Sequence, residues 1–292
     1  MKPSKSDHLW GYLFIAPQLV GLIVFALLPV AFGFAIGFLK WDGFGSAEFV
    51  GFDNFAFLYQ DELFRTALVN TAYYTLIALP FGLALALSVA LALNKVAGRM
   101  IYRVIYYMPG ITSTVVVAIV WLWVLNPDFG LINAYLKDWF GIDGPRWFQD
   151  PILAMPLIAV VVAWQSLGGT MLLYLAGLQG ISATYYEAAE LDGATKWGKL
   201  RHITLPLLTP TIFFTVILGI IGSFQVFDQT YILTNGGPYR ATYTVLMYIY
   251  NAAFVDVIWG KSSAAAIVLF FILLVFTLIQ LKYSKRWVHY GN

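Results

Sequence analysis

Six apolar runs, each long enough to cross a lipid bilayer, constrain this chain more than anything else in it. They cover roughly residues 12–39, 66–93, 104–126, 152–179, 207–231 and 262–282. A hydrocarbon core about 30 Å thick needs on the order of 20 apolar residues in a helix that rises about 1.5 Å per residue. Inside hydrocarbon every backbone N–H and C=O must be paired within its own segment, so such runs read as helices. The composition agrees: 60% of the residues are hydrophobic and 11% charged, more apolar surface than a soluble domain can hide. Ten Trp suit side chains anchored at bilayer interfaces. The expectation is an all-α integral membrane protein with six transmembrane helices.

Lys2 and Lys5 precede the first run, but a signal-peptide core lasts only about 7–15 residues, so a retained first span is expected. Several runs exceed about 20 residues and predict tilt or kinks. Pro29, Pro80, Pro109 and Pro156 supply local causes, and Gly33 with Gly37 forms a G-x-x-x-G. Tyr243–Phe254 is apolar but too short to cross, and reads as an outer half-helix.

Basic residues set the orientation. One side collects Lys2, Lys5, Lys95, Arg99, Arg103, Lys196, Lys199, Arg201, Lys282, Lys285 and Arg286, eleven in all, against six on the other: Lys40, Arg65, Lys137, Arg146, Arg240 and Lys261. The richer side is cytoplasmic, so both termini are expected inside. The domain reading is a first span with its outer loop (1–65), a core of five spans (66–284) and a cytoplasmic tail (285–292).

Several functions fall away. Without cysteine there is no disulfide or thiolate metal site. His8, His202 and His289 all lie outside the apolar runs, which leaves no intramembrane histidine relay or haem ligand. A net charge of +2 points to no nucleic-acid partner. Neither a metal-ligand cluster nor a nucleophile–base pair is recognisable, so no catalytic or metal residue is assigned and an enzyme is not expected.

The hydrophilic break from Tyr185 to Pro206 is the most informative loop. Thr184-x-x-Glu187 fits a capping box starting a helix at Tyr185, Gly193 suits the left-handed position that ends it, and a second short helix is expected from Thr195 to about His202. Leu205-Pro206 would then open the next span. Ala188 and Ala189 leave a small-residue face that a partner can approach, and Glu187 either docks a partner or caps its own helix.

The order Glu187-Ala188-Ala189, then Asp192-Gly193, then Ile203 and Leu205-Pro206 resembles the EAA loop of permease subunits in binding-protein-dependent ABC importers. Asp192-Gly193-Ala194 with Trp197, Leu233-Thr234-Asn235-Gly236-Gly237-Pro238, Tyr248 to Phe254 and Phe49 to Phe55 are similar to the carbohydrate-uptake branch, of maltose and glycerol-phosphate type. The resemblance implies that 185–206 carries a cytoplasmic coupling helix ahead of the fifth span. It also implies a second, homologous permease subunit, a cytoplasmic ATPase dimer that holds ATP and Mg, an extracytoplasmic solute-binding protein, and a sugar as solute. It implies the plasma membrane of a prokaryote, and no cofactor on this chain itself. Gly193 to Lys199 also spells G-x-x-x-x-G-K, but Leu200 stands where a hydroxyl should bind Mg and no buried strand precedes it, so a nucleotide loop is rejected.

Polar groups within spans are costly and so mark function. The fourth run has Trp164, Gln165, Ser166, Gly168 and Gly169; the fifth has Ser223, Gln225 and Asp228. Trp164 offers an apolar face to a sugar ring and Gln165 an amide to its hydroxyls. Gln165 and Gln225 serve equally well as interhelical links, Gly168 and Gly169 as packing positions, and Asp228 as a solvated end group. Asn70 and Thr71 read as packing residues, and Asn251 as a cap or a gate element. The rival function is a secondary transporter, for which Asp228 is the only acid within a span; an ABC importer of a non-sugar solute is the other alternative.

Overall fold

The computed structural model describes residues 5–94, 96 and 98–288. Lys2 and Lys95, used above for orientation, and His289 lie outside the described residues, as do the side chains of Lys5, His8 and Arg99 and tail residues 289–292. In chain order the elements are α1 (Lys5–Leu22), a π-helical turn (Ile23–Leu27), α2 (Leu28–Ile36), β1 (Leu39–Lys40), β2 (Glu48–Phe49) and α3 (Asp53–Gln60). Next come α4 (Glu62–Leu93), α5 (Arg99–Ile111), α6 (Thr114–Val124), α7 (Leu131–Phe140), α8 (Ala154–Gln179) and α9 (Ala183–Leu191). The chain continues with α10 (Lys196–Lys199), a second π turn (Leu200–Thr204), α11 (Leu205–Phe224), α12 (Asp228–Thr234), α13 (Val245–Tyr250), a third π turn (Asn251–Val255) and α14 (Trp259–Trp287).

Among the described residues five helical stretches are long and apolar enough to cross a membrane: Tyr12–Ile36, Glu62–Leu93, Ala154–Gln179, Lys196–Phe224 and Trp259–Trp287. The expected third span, 104–126, is not one helix. α5 and α6 meet at a 95° bend, so a sixth crossing exists only if the bent pair makes it together. Pro109 has no N–H to give the carbonyl of Ile105, and Thr112 and Ser113 are extended at ψ 140° and 132°. The fifth run also stops early: α11 ends at Phe224, and Asp228 opens the separate helix α12 instead of lying within a span. The first run ends at Ile36, and residues to 39 turn into β1, paired antiparallel with β2 in the register Leu39↔Phe49 and Lys40↔Glu48.

The prolines act differently from one another. Pro29 and Pro206 each follow a π turn that contains the residue four places back, Phe25 or His202, whose carbonyl the proline leaves without its helical partner. Pro156, expected to kink its span, is the third residue of α8, where the missing N–H is unpaired in any helix. The short segment 245–255 is helical, as expected, and too short to cross.

The chain forms two compact units, 1–61 with 248–269 and 62–247 with 270–292. In the first, Asn54 donates to the carbonyls of Gly37 and Leu39 at 3.0 and 2.9 Å. A Cβ on Gly37 would lie 2.5 Å from Ile267 Cδ1, whereas Gly33 has nothing within 4 Å. Only the second glycine of that G-x-x-x-G makes a close helix contact. In the second unit α8 is the central helix. Ala86, Ala90, Met171, Tyr174, Leu175 and Leu208 form one buried cluster; Tyr74, Met155, Ile158, Ala159, Val161 and Val226 belong to another. Small residues at these seams let backbones approach, which is how helices gain packing energy where lipid removes the hydrophobic drive.

Candidate functional site: an exposed helix and a polar cavity

The loop after α8 begins with Ser182, not Thr184, as the helix cap: its hydroxyl accepts from Thr184 N at 3.4 Å, and α9 runs from Ala183. The expected capping box is therefore not formed: the cap lies two residues earlier, Tyr185 stands where the reciprocating Glu would be, and Glu187 stays exposed in mid-helix. Gly193 does end the helix, with φ +74°. Gly193 N donates to Glu190 O at 3.1 Å and Ala194 N to Ala189 O at 2.8 Å, the two bonds of a Schellman motif. Thr195 then caps the next helix, accepting from Gly198 N at 3.1 Å. That helix does not stop near His202 as expected. It continues through the π turn into α11, so Lys196–Phe224 is one stretch.

Two side-chain contacts fasten α9 to this stretch. Lys199 Nζ lies 2.5 Å from Glu190 Oε1, and the Tyr186 and Thr204 hydroxyls are 3.0 Å apart. α9 has no buried residue. Glu187, Ala188, Asp192 and Gly193 are exposed, Ala189 is half-buried, and Ile203, Leu205 and Pro206 are half-buried at the base of α11. Sequence reasoning missed Leu191, 91% exposed, and Tyr185, 53% exposed, which with Trp197 make the loop apolar as well as small. Large apolar side chains beside the Glu-Ala-Ala run were the available signal. The Gly193–Lys199 run is divided between a helix end and a helix start, and Lys199 pairs with Glu190, so nothing here cradles a phosphate.

α4, α8, α11 and α12 enclose a cavity of about 520 Å³, and a second of about 320 Å³ adjoins α5, α8 and α12. Both volumes fall within the range of about 300–1,000 Å³ usual for small-molecule sites. Ser166, Ser223, Gln225 and Asp228 line the larger cavity; Gln165, Ser166 and Gly169 line the smaller; Val162, Ser166 and Gln229 are common to both. Among the described residues the linings include no Lys, Arg or His, and Asp228 is their only carboxylate. Sequence reasoning passed over Tyr74, Thr170, Thr215 and Gln229, all of which line the larger cavity. Thr170 directly follows Gly169 and Gln229 directly follows Asp228, so the signal was present.

Gln165 is 8% exposed and fully engaged. Its amide donates to Thr112 O and Thr114 Oγ1, both at 3.3 Å, and its carbonyl accepts from Gln229 Nε2 at 3.3 Å. Trp164 and Gly168 line neither cavity. The Trp164 ring packs edge-on against Trp121, with centroids 5.8 Å apart. A Cβ on Gly168 would lie 2.4 Å from both Tyr106 O and Tyr107 Cα, so this glycine lets α8 meet α5, while Gly169 has open space. Asn70 donates to the carbonyls of Arg240 and Tyr243, and Thr71 Oγ1 accepts from Val245 N. Asn251 begins the third π turn. Among the described residues no three His, Cys, Asp or Glu could hold a metal ion.

Residues 78–289 match the family described as "Binding-protein-dependent transport system inner membrane component". The chain is 38% identical, over 100% of its length and 96% of the relative's, to "Probable ABC transporter permease protein YesP" of Bacillus subtilis (strain 168). It is 32% identical to "sn-glycerol-3-phosphate transport system permease protein UgpA" of Agrobacterium fabrum (strain C58 / ATCC 33970), over 96% of each chain. Among solved structures it is similar to a chain of "Crystal structure of bacterial alginate ABC transporter in complex with alginate pentasaccharide-bound periplasmic protein". That similarity has a TM-score of 0.85 and 28% identity, and covers 97% of this chain and 96% of the other.

Proposed function

The chain belongs to the family of binding-protein-dependent transport system inner membrane components, and from that premise we propose that it is the transmembrane permease subunit of an ATP-driven sugar importer. Its solute is an oligosaccharide or a polyol derivative. A second, homologous permease completes the path, a cytoplasmic ATPase dimer supplies ATP hydrolysis with Mg, and an extracytoplasmic binding protein delivers the solute. The excess of Lys and Arg on one side supports cytoplasmic termini and a cytoplasmic α9.

One observation carries the reading. The exposed helix α9 is fastened by its Gly193 turn, the Glu190–Lys199 pair and the Tyr186–Thr204 bond to Lys196–Phe224, the helix whose far end lines the larger cavity with Ser223. A displacement of α9 by the ATPase is thus passed to the cavity wall through few adjustable joints. Glu187, Ala188, Ala189, Asp192 and Gly193 form the docking surface, and Ile203, Leu205 and Pro206 its base. Ser166, Gly169, Ser223, Gln225 and Asp228 face the solute, a set of hydroxyl, amide and carboxylate groups suited to sugar hydroxyls. Trp164 and Gly168 are given packing roles, and Gln165 positions the break between α5 and α6. Two packings of the bundle, biased by ATP binding and hydrolysis, give alternating access.

The test is ATPase activity of the transporter reconstituted in proteoliposomes with its partners, its binding protein and a panel of sugars. Stimulation by one sugar, lost in Gly193→Asp, is expected. A bound ATPase that no sugar stimulates would place the solute outside carbohydrates.

A further inference from the structure

We propose that Tyr239 and Arg240 form a rigid finger on the outer face that grips the solute-binding protein; this rests on the importer reading above. The two residues follow one another in left-handed backbone, φ +50° and +64°. This region is unfavourable for any residue with a Cβ, and two in succession persist only where the surroundings dictate them. The surroundings do so here. Asn70 holds the carbonyls of Arg240 and Tyr243 at 2.7 and 3.0 Å. Thr242, fully buried, donates its amide to Gly236 O at 3.2 Å and its hydroxyl to Gly237 O at 2.8 Å, and contacts the Thr234 hydroxyl at 2.6 Å. Thr244, also buried, donates to Val226 O at 3.0 Å. Gly236, at φ +78°, has no room for a Cβ, which would sit 2.7 Å from the Tyr243 ring.

All of this order ends in two side chains that contribute nothing to the core. Tyr239 is 93% exposed and Arg240 is exposed. A loop that needed only to close could use glycine at both positions. Rigid Tyr and Arg presented to solvent are the residue types that dominate the energetics of protein interfaces, because they bring area and directed hydrogen bonds at little ordering cost. The finger follows the Phe224 end of Lys196–Phe224 in the chain, whereas α9 precedes its Lys196 end, and it is held by Asn70 near the start of α4; on the importer reading that is the face from which solute arrives. A similar fold has been solved with a solute-loaded periplasmic protein bound, so a soluble protein of that class is the occupant of this face. The guanidinium asks for a carboxylate on that partner, and the phenol for an apolar or backbone-lined notch.

The test uses the complete transporter in nanodiscs and its solute-binding protein. Binding of that protein and its half-saturating concentration for ATPase stimulation are measured for wild type, Tyr239→Ala, Arg240→Glu and the double variant. The expected result for the double variant is a rise of tenfold or more in the dissociation constant of that protein and in its half-saturating concentration. Basal ATPase, maximal stimulation and the yield of co-purifying permease should be unchanged. Unaltered binding overturns the finger. So does loss of the second permease on purification, which would make Tyr239 and Arg240 a subunit contact. Failure of the importer reading gives a different pattern: the wild-type transporter itself then neither binds the protein in the direct assay nor shows stimulated ATPase.

Discussion

The Gln165 side chain donates to the backbone carbonyl of Thr112 at 3.3 Å, closing a break in a helix 53 residues away in sequence. The same amide reaches Thr114 Oγ1, so one side chain serves both sides of the 95° bend between α5 and α6. Exposed to lipid, the freed backbone groups at 112–113 would be expensive; against a buried glutamine they are tolerated.

Replacing Gln165 by Leu removes these bonds and the one from Gln229. Interhelical hydrogen bonds in membranes contribute roughly 0.6–2 kcal/mol, so a loss of about that size is expected in the thermal unfolding of the detergent-solubilised protein. Gln165→Glu keeps one acceptor and none of the amide donors, and should be no better. Unchanged unfolding in both variants would remove Gln165 from the bend.

Gly168 and Gly169 should separate cleanly. Gly168→Ala drives a methyl to 2.4 Å from the α5 backbone, and overpacking of this kind costs about 1–3 kcal/mol; expression of folded protein should fall. Gly169→Ala meets nothing within 4 Å but narrows the smaller cavity. It should fold normally, as judged by size-exclusion elution, while solute transport slows.

Gly193→Ala tests the turn that ends α9 without any steric change, since a Cβ there meets nothing. The left-handed φ of +74° alone costs a residue with a Cβ about 1–2 kcal/mol. Because α9 is joined to α11 through this turn, solute moved per ATP hydrolysed should fall while the membrane helices stay folded by circular dichroism.

Gln225 is exposed toward the larger cavity just past the end of α11. Gln225→Ala should leave unfolding within about 0.5 kcal/mol of wild type. The sugar concentration giving half-maximal ATPase stimulation should rise several-fold. No rise would exclude Gln225 from solute contact.

The long helices and the hydrophilic loop were legible because each is a property of contiguous residues: apolar length for the spans, a fixed order of small, acidic and glycine positions for the loop. The breaks were legible only in part: Pro109 marked a kink, but not a 95° bend that divides the span. Averaged over 104–126, hydropathy conceals three hydroxyl residues in a row, Thr112-Ser113-Thr114, placed just after Pro109-Gly110. Their stabilising partner, Gln165, comes from another helix. The polar motif on α8 was legible as a motif, but its faces were not. Ser166, Gly169 and Thr170 point to cavities while Trp164 and Gly168 turn toward Trp121 and α5, a separation set by about 100° of helical rotation per residue. The cap at Ser182 was hidden by an equally good pattern two residues later, and only backbone geometry distinguishes them.

The most direct test of the account is uptake of the stimulating sugar into proteoliposomes loaded with ATP, comparing wild type with Glu187→Lys. Glu187 is exposed on α9, so the substitution leaves the membrane fold intact while reversing the charge offered to the ATPase. The account predicts uptake that requires internal ATP in wild type, and loss of both uptake and ATPase co-purification in Glu187→Lys. Uptake driven by a proton gradient without ATP, or full uptake by Glu187→Lys, would contradict it.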